Sequence, residues 1–369
     1  MLSRMRFPAA AVAACILLLF GGVQGQDLPQ GARYELRTTA DPLAIHILTV
    51  DPSKLRLTLE RALDRGVGRE TVSSMVRRKG AVAGVNAGFF TIGGPYDGEP
   101  IGILKLGGEW LSDGPLPRGA IGWRRGGREV VIGRVTMRCS LAVDGTRLPV
   151  DGLNRSRGAA ESILYNWLFH TSTLTEAPGF EILIAGGRVS GVRRGGDSLI
   201  PGRTYVYSIG AEARTDPALL PQGSRVRVNH SIQVHGGAGP GRAGRWQGME
   251  NIVGGAGLLI EGGRTVADHT EERLRAGFVT DRHPRTAVGI RRDGTWVLVV
   301  VDGRQPQRSR GMTLAELADL MKSLGCRDAL NLDGGGSSTL VLQGRVVNSP
   351  SDAGTERPVS DAILVFARR

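Results

Sequence analysis

The chain has 369 residues, 55 of them glycine and 18 proline, so about one position in five interrupts regular backbone and a long coiled coil or helical bundle is disfavoured. With 41% hydrophobic and 22% charged residues it has the composition of a folded globular chain, not a disordered one. The formal charge of +12 does not mark a nucleic-acid binder: 43 of the 47 basic residues are scattered arginines, the densest cluster (Arg77, Arg78, Lys79) is short, and aromatics make up 5%, although attraction to anionic substrates stays open.

In chain order, Arg4 and Arg6, the apolar stretch from Ala9 to Phe20 and the triplet Val23-Gln24-Gly25 predict a cleaved signal peptide over residues 1–25 and a secreted or periplasmic mature chain. That stretch is too short for a stable membrane span, and Cys15 lies inside it, where it supports no lipid anchor. Residues 26–369 are expected to form one domain, since no low-complexity linker divides them. The β-like runs Ala44 to Val50 and Leu55 to Leu59 flank Asp51-Pro52, and Thr71 to Arg78 reads as a short helix with Val72, Met75 and Val76 on one face.

From there one pattern recurs: an apolar run, a glycine-containing turn, and a second β-prone run. It appears at Gly107-Gly108, Gly186-Gly187, Gly262-Gly263, Asp293-Gly294 and Gly344, and each unit reads as a hairpin because glycine tolerates the positive φ of a tight turn. Cys139 and Cys326, the two cysteines of the mature chain, have no metal-site or redox-motif context, and their pairing is left open. His230 and His235 are five apart in a β-like run, hence on opposite faces, which disfavours a shared metal. Gly236 to Gly241 is a glycine-rich loop and a candidate lid.

The last third carries the chemistry. Thr286 to Arg291 and Trp296 to Val301 form a predicted hairpin whose second strand ends in Asp302-Gly303-Arg304. A helix over Leu314 to Leu324 follows, with capping-box spacing of Thr313 and Glu316, an apolar stripe of Leu314, Leu317, Ala318 and Met321, and Gly325 as its stop. Ala329 to Leu332 then reads as a buried strand ending in Asp333-Gly334-Gly335-Gly336-Ser337-Ser338. Strand, helix, strand predicts parallel pairing of 296–301 with 329–332, which puts Asp302 and Asp333 at one carboxyl edge. The fold class expected is α+β: a strand-rich mixed-sheet domain with few helices and one β-α-β crossover near the C-terminus.

Two carboxylates at neighbouring strand ends suit acid/base hydrolysis, in which one group gives a proton to a leaving oxygen and the other acts on the opposite face. The glycines after Asp333 allow close backbone approach, and their amides can form an anion nest. Arg285 and Arg304 stand at opposite ends of the predicted hairpin, and either offers bidentate contact to a phosphate or carboxylate. His283 is a further candidate proton donor, Glu250 and Glu356 are reserve carboxylates, and the aspartate pair suits a hard cation such as calcium or magnesium. The zinc-protease, serine-hydrolase and P-loop motifs are missing from the sequence.

His283-Pro284-Arg285-Thr286-Ala287-Val288-Gly289, Val301-Asp302-Gly303-Arg304, Gly311-Met312-Thr313 and Asn331-Leu332-Asp333-Gly334-Gly335-Gly336-Ser337-Ser338 together resemble the phosphodiester glycosidase family, typified by N-acetylglucosamine-1-phosphodiester α-N-acetylglucosaminidase. Upstream, Val85-Asn86-Ala87-Gly88-Phe89-Phe90 resembles an Asn-Gly-Gly-Tyr-Phe element, with Ala87 and Phe89 as departures. Asn154-Arg155 and Glu161 to Tyr165 resemble the family's middle segment more weakly, Gly254 to Leu259 resembles its glycine-rich strand entry, and the match runs from about residue 80 to the C-terminus. The resemblance implies a strand-rich domain that hydrolyses a sugar-1-phosphodiester, releasing the sugar. The partner is then a glycan or sugar phosphate, not nucleic acid or a membrane span. The expected roles are Asp302 and Asp333 as the catalytic pair, Arg285 and Arg304 on the phosphate, and Asn86, Thr286 and Asn331 on the sugar. Gly334, Gly335, Gly336 and Ser337 would complete the anion pocket. The alternative is a non-catalytic glycan-binding protein of envelope or exopolysaccharide assembly.

Overall fold

The computed structural model describes residues 28–236, 242–352 and 354–368. The expected signal peptide and residues 237–241 of the candidate lid lie outside the described residues. Each glycine turn read from the sequence joins two antiparallel strands. At Leu104–Leu106 with Glu109–Ser112, Gly179–Ala185 with Arg188–Arg194, and Leu258–Glu261 with Arg264–Thr265, the pairing closes across two glycines. Gly186 and Gly187 take φ of 56° and 71°, the consecutive positive values that such a turn demands.

A seven-stranded antiparallel sheet organises the C-terminal third, in the spatial order Ala32–Thr39, Leu43–Val50, Trp296–Val301, Arg285–Arg291, Cys326–Asn331, Leu258–Glu261, Arg264–Thr265. One face packs on a five-stranded sheet (Arg345–Val346, Leu340–Leu342, Ala83–Asn86, Asp361–Ala367, Leu55–Arg61) through Leu48, Leu298, Val300 and Leu330 against Leu57, Val85 and Ile363. The other face is covered by the helix Leu314–Ser323, whose Leu314, Leu317, Ala318 and Met321 meet Val297, Val299 and Val301. Both faces of Trp296–Val301 are thus buried, which is why it reads as a continuous apolar run, and each aliphatic there contributes roughly 1.5–3 kcal/mol over exposure. The helix Val72–Lys79 closes the outer face of the five-stranded sheet with Val72, Met75 and Val76.

The capping box is present: Glu316 N donates to Thr313 Oγ1, and Thr313 N donates back to the Glu316 carboxylate at 2.9 Å. The middle of the chain supplies two further sheets around a second core, one built on the long strands Gly114–Arg124 and Glu129–Val143, the other on Ser162–Asn166, Gly179–Ala185 and Tyr205–Gly210. Cys139 and Cys326 are both buried and free, in separate core clusters. Among the described residues no helix is long and apolar enough to cross a membrane.

One expectation needs correction. Trp296–Val301 and Cys326–Asn331 run parallel and are joined by the helix, but they are not paired: Arg285–Arg291 lies between them and bonds antiparallel to both. The helix therefore carries the chain over one strand instead of to a neighbour.

Candidate active site

Three strand ends meet at one edge of the seven-stranded sheet. Arg285 lies opposite Val301, and Ala287 lies opposite Asn331, so Asp302, Arg285 and Asp333 all emerge there. The same register corrects the expectation that the hairpin holds Arg285 and Arg304 apart, since both belong to its open end. Pro284 is the wedge between the two Asp-Gly steps. A Cβ on Gly303 would meet Pro284 N at 2.6 Å, and one on Gly334 would meet Pro284 O at 2.7 Å. Only glycine leaves both turns room to close on it.

The two aspartates share the edge and differ in everything else. Asp302 is buried, and each of its carboxylate oxygens meets two protein groups: Oδ1 accepts from Asn348 Nδ2 at 3.1 Å and Ser349 N at 2.9 Å, while Oδ2 lies 3.3 Å from His46 Nε2 and accepts from Arg308 Nε at 3.2 Å. His46 is fully buried, with its Nδ1 2.8 Å from the Tyr34 hydroxyl. Burial works to raise the Asp302 pKa, but His46, the Ser349 amide and Asn348 outweigh it and hold the carboxyl below its ordinary range. Those four contacts leave no lone pair for a cation. Among the described residues no three His, Cys, Asp or Glu converge as a metal-ligand set.

Asp333 is recessed, enclosed by protein on most sides while part of it still touches solvent. Its Oδ1 accepts from the Gly334 amide at 2.9 Å. Ser337 Oγ is near enough to favour the charged form without completing a full hydrogen bond. Burial dominates and pushes the carboxyl up to about 7, with the Asp361 charge adding to it and Arg357 opposing it. Asp361 is itself buried, accepting from Gly88 N and Ser360 Oγ at 2.6 Å each, and burial raises it too.

Two guanidinium groups flank the turn after Asp333. Arg304 is exposed, and its Nη2 would lie 3.2 Å from a Cβ on Gly335, so it leans over that glycine. Arg357 Nη2 and Asp352 Oδ1 would each lie 2.3 Å from a Cβ on Gly336, so that glycine exists to admit them. Asp352 holds Arg357 Nε at 2.6 Å. Gly335 takes φ of 61°, which a side chain would strain.

Arg285 is turned to a different task. It is buried, donating from Nε to Met312 O at 2.8 Å and from Nη2 to Phe278 O at 2.8 Å and Asp281 O at 3.1 Å, over the Phe278 ring. Burial and the nearby Arg304 charge lower it to about 10. With those donors committed to carbonyls, it braces the 278–281 segment beside the site and is poorly placed for a bidentate grip on phosphate. Asn86 is likewise a brace: Nδ2 donates to Asp333 O at 2.7 Å, while Oδ1 accepts from Thr286 Oγ1 at 2.7 Å and Thr339 N at 3.1 Å. Asn331 differs, for its Nδ2 serves Ala256 O and Leu332 O but its buried Oδ1 has no protein partner.

His283 packs at the edge with Nε2 3.3 Å from Gly277 O, and burial and the Arg285 charge lower its pKa. Glu356 accepts from Ser73 N at the start of the Val72–Lys79 helix, and Glu250 is exposed next to the strand Asn251–Gly254 of another sheet, so neither joins the aspartates. The sequence reading missed Arg357, Asp352 and Asp361. Arg357 and Asp361 have as their sequence signal the Arg-Pro-Val-Ser-Asp run leading into the last strand, and Asp352 lies in the Ser-Asp-Ala-Gly stretch before it.

The family model described as phosphodiester glycosidase matches residues 178–366. A prophage-derived uncharacterized protein of Bacillus subtilis is 46% identical over 84 residues, covering 23% of this chain and 13% of that protein. N-acetylglucosamine-1-phosphodiester alpha-N-acetylglucosaminidase of Mus musculus is 44% identical over 75 residues, covering 20% of this chain and 14% of the enzyme. The matched stretch is thus a small part of either relative. The crystal structure of a putative exported protein from Burkholderia pseudomallei superposes with a TM-score of 0.73 at 27% identity, covering 89% of this chain and 75% of that one.

Proposed function

The chain belongs to the phosphodiester glycosidase family, and on that premise we propose that it is a hydrolase cleaving a sugar-1-phosphodiester on an envelope or extracellular glycan, with Asp333 as the proton-transferring group. The reading rests on one observation: a carboxyl raised to about 7 opens a turn of bare backbone that two guanidinium groups flank.

In the reaction the bond between sugar C1 and the phosphate oxygen breaks, and its electron pair leaves with the phosphate. Water supplies a hydroxyl to C1, and its proton passes to the released phosphate monoester. A group near pH 7 serves both ends of that transfer. Arg304 and Arg357 neutralise the charge that grows on the leaving phosphate, and the Asp352 contact fixes Arg357 for the purpose. The unpartnered Asn331 Oδ1 would accept from a sugar hydroxyl, and the unpartnered Ser337 Oγ would donate to a sugar or phosphate oxygen. Asp302, with all four of its contacts inside the protein, is assigned to architecture. The signal-peptide pattern at the N-terminus supports secretion or a periplasmic location, where such glycans occur.

Incubation of the mature protein with a panel of sugar-1-phosphodiesters, beside Asp333→Asn, tests the reading. Release of free sugar by wild type and its loss in the variant, with binding retained, is the expected result. Inertness of wild type across a broad panel while it still binds the same compounds would move the assignment to a glycan-binding protein.

A further inference from the structure

The edge of the seven-stranded sheet opposite the candidate active site carries a different feature. Arg291, Arg292 and Gly294 at one hairpin, and Arg327 and Asp328 at the start of the neighbouring strand, line a cavity of about 200 Å³. A second cavity of about 500 Å³, lined by Arg124, Arg128 and Glu129, shares Val130 and Arg245 with it, so the two form one cleft. Its six arginines face two carboxylates, and both are already engaged. Glu129 is paired to Arg124 at 2.6 Å and Arg125 at 3.0 Å, and Asp328 accepts from Gly262 N at 2.7 Å beside Arg327. Arg128, Arg245 and Arg292 are exposed and have no carboxylate partner among the described residues.

The charge continues past the cleft. Arg56 Cγ and Arg368 Nη2 would lie 2.8 Å and 3.4 Å from a Cβ on Gly126, two residues from Arg128, and both line a further cavity with Lys79. A row of like charges in a concave surface repels itself and concentrates counter-ions. Trp246, the ring in the cleft, is buried, and Phe366 in the further cavity is half-buried with Arg56 over its face, so among the described residues no fully exposed aromatic interleaves the row. Nucleobases would have no exposed ring in the cleft to stack on, whereas phosphate needs only forked guanidinium groups.

We propose that this cleft is a binding site for a linear polymer bearing repeated phosphate groups, separate from the site at Asp333. The two sites stand at opposite ends of the seven-residue strand Arg285–Arg291, roughly 20 Å apart, so occupancy of the cleft leaves the Asp333 turn open. The assignment goes beyond the hydrolase reading and does not depend on it.

The probe is long-chain inorganic polyphosphate, titrated against the mature protein by fluorescence anisotropy at rising salt. Saturable binding that weakens as salt increases is expected, and Arg128→Glu with Arg292→Glu should lower affinity by about tenfold or more, given the screening of exposed charges. The control is Arg225→Glu with Arg227→Glu, which makes the same change in net charge at another cavity. Thermal melts confirm that both variants fold, and hydrolysis of a small sugar phosphodiester, where wild type shows it, should be unchanged in the cleft variant. No binding at low salt, or equal loss in the control, overturns the proposal. Oligodeoxythymidylate of matched phosphate number binding as tightly as polyphosphate overturns it in favour of nucleic acid.

Discussion

Asp302 and Asp333 stand at the ends of two parallel strands of one sheet, each followed by glycine, and the protein treats them oppositely. Around Asp302 the cost of burial is offset by donors from Leu43–Val50, the 308 loop and the 348–349 segment. Around Asp333 it is not: one amide donates directly, and Asp361 adds a like charge. The lesson is that a carboxylate's chemistry is set by how many donors the fold brings to it, not by its place at a strand end.

Substitution separates the two most sharply. Asp333→Asn removes the proton-transfer group with little change of shape, so turnover on a sugar phosphodiester should fall by roughly 10² to 10⁴-fold while substrate binding persists. The measurement is kcat beside a binding titration, and a variant that keeps wild-type kcat would break the contrast. Asp302→Asn should do the reverse. It replaces a carboxylate that accepts from Asn348, Ser349 and Arg308 and lies against His46 with a neutral amide, at about 1.5–3 kcal/mol of stability for hydrogen bonds lost to a buried charged group. Denaturant unfolding checks this, and a loss under about 1 kcal/mol would show that the donors around Asp302 do not serve its charged form.

The arginines offer a finer test. Arg357→Lys loses the fork that Asp352 orients, so KM should rise by about tenfold with kcat changed less. Arg285→Lys would instead release the carbonyls of Phe278, Asp281 and Met312 and lower the melting temperature with little selective effect on KM. Equal KM effects for both would contradict the division between gripping and bracing arginines.

Much of this was legible in the sequence because it is local. Glycine turns, the Thr313–Glu316 box and the fully apolar strand are decided by neighbours a few residues away, and the two Asp-Gly steps did reach one edge. What was not legible depends on distant partners. Nothing in the residues from Arg285 to Asn331 tells which strand occupies the middle of three, because antiparallel pairing on both sides leaves no periodicity to distinguish it. His46 meets Asp302 across 256 positions. Arg285 looked like a phosphate ligand because arginine in a motif suggests one, yet its acceptors are backbone carbonyls, which carry no residue signature.

The pH dependence of stability is the cleanest discriminator, because it gives the two aspartates opposite signs. Asp333 is raised from 3.8 to about 7 in the folded chain, so the folded state holds a proton that the unfolded state has released across that interval. Its contribution is full below pH 4 and is lost progressively as pH rises toward 7, at no more than about 1.4 kcal/mol per pH unit. Asp302 is depressed, so its contribution is present above the ordinary carboxylate range and is lost as pH falls through and below it. Unfolding free energy measured from pH 4 to 8 should therefore decline less steeply in Asp333→Asn than in wild type, and Asp302→Asn should flatten only the acid limb below pH 4. If Asp333→Asn leaves the slope between pH 4 and 7 untouched, the folded Asp333 holds no extra proton there, and the proposed transfer would need another group.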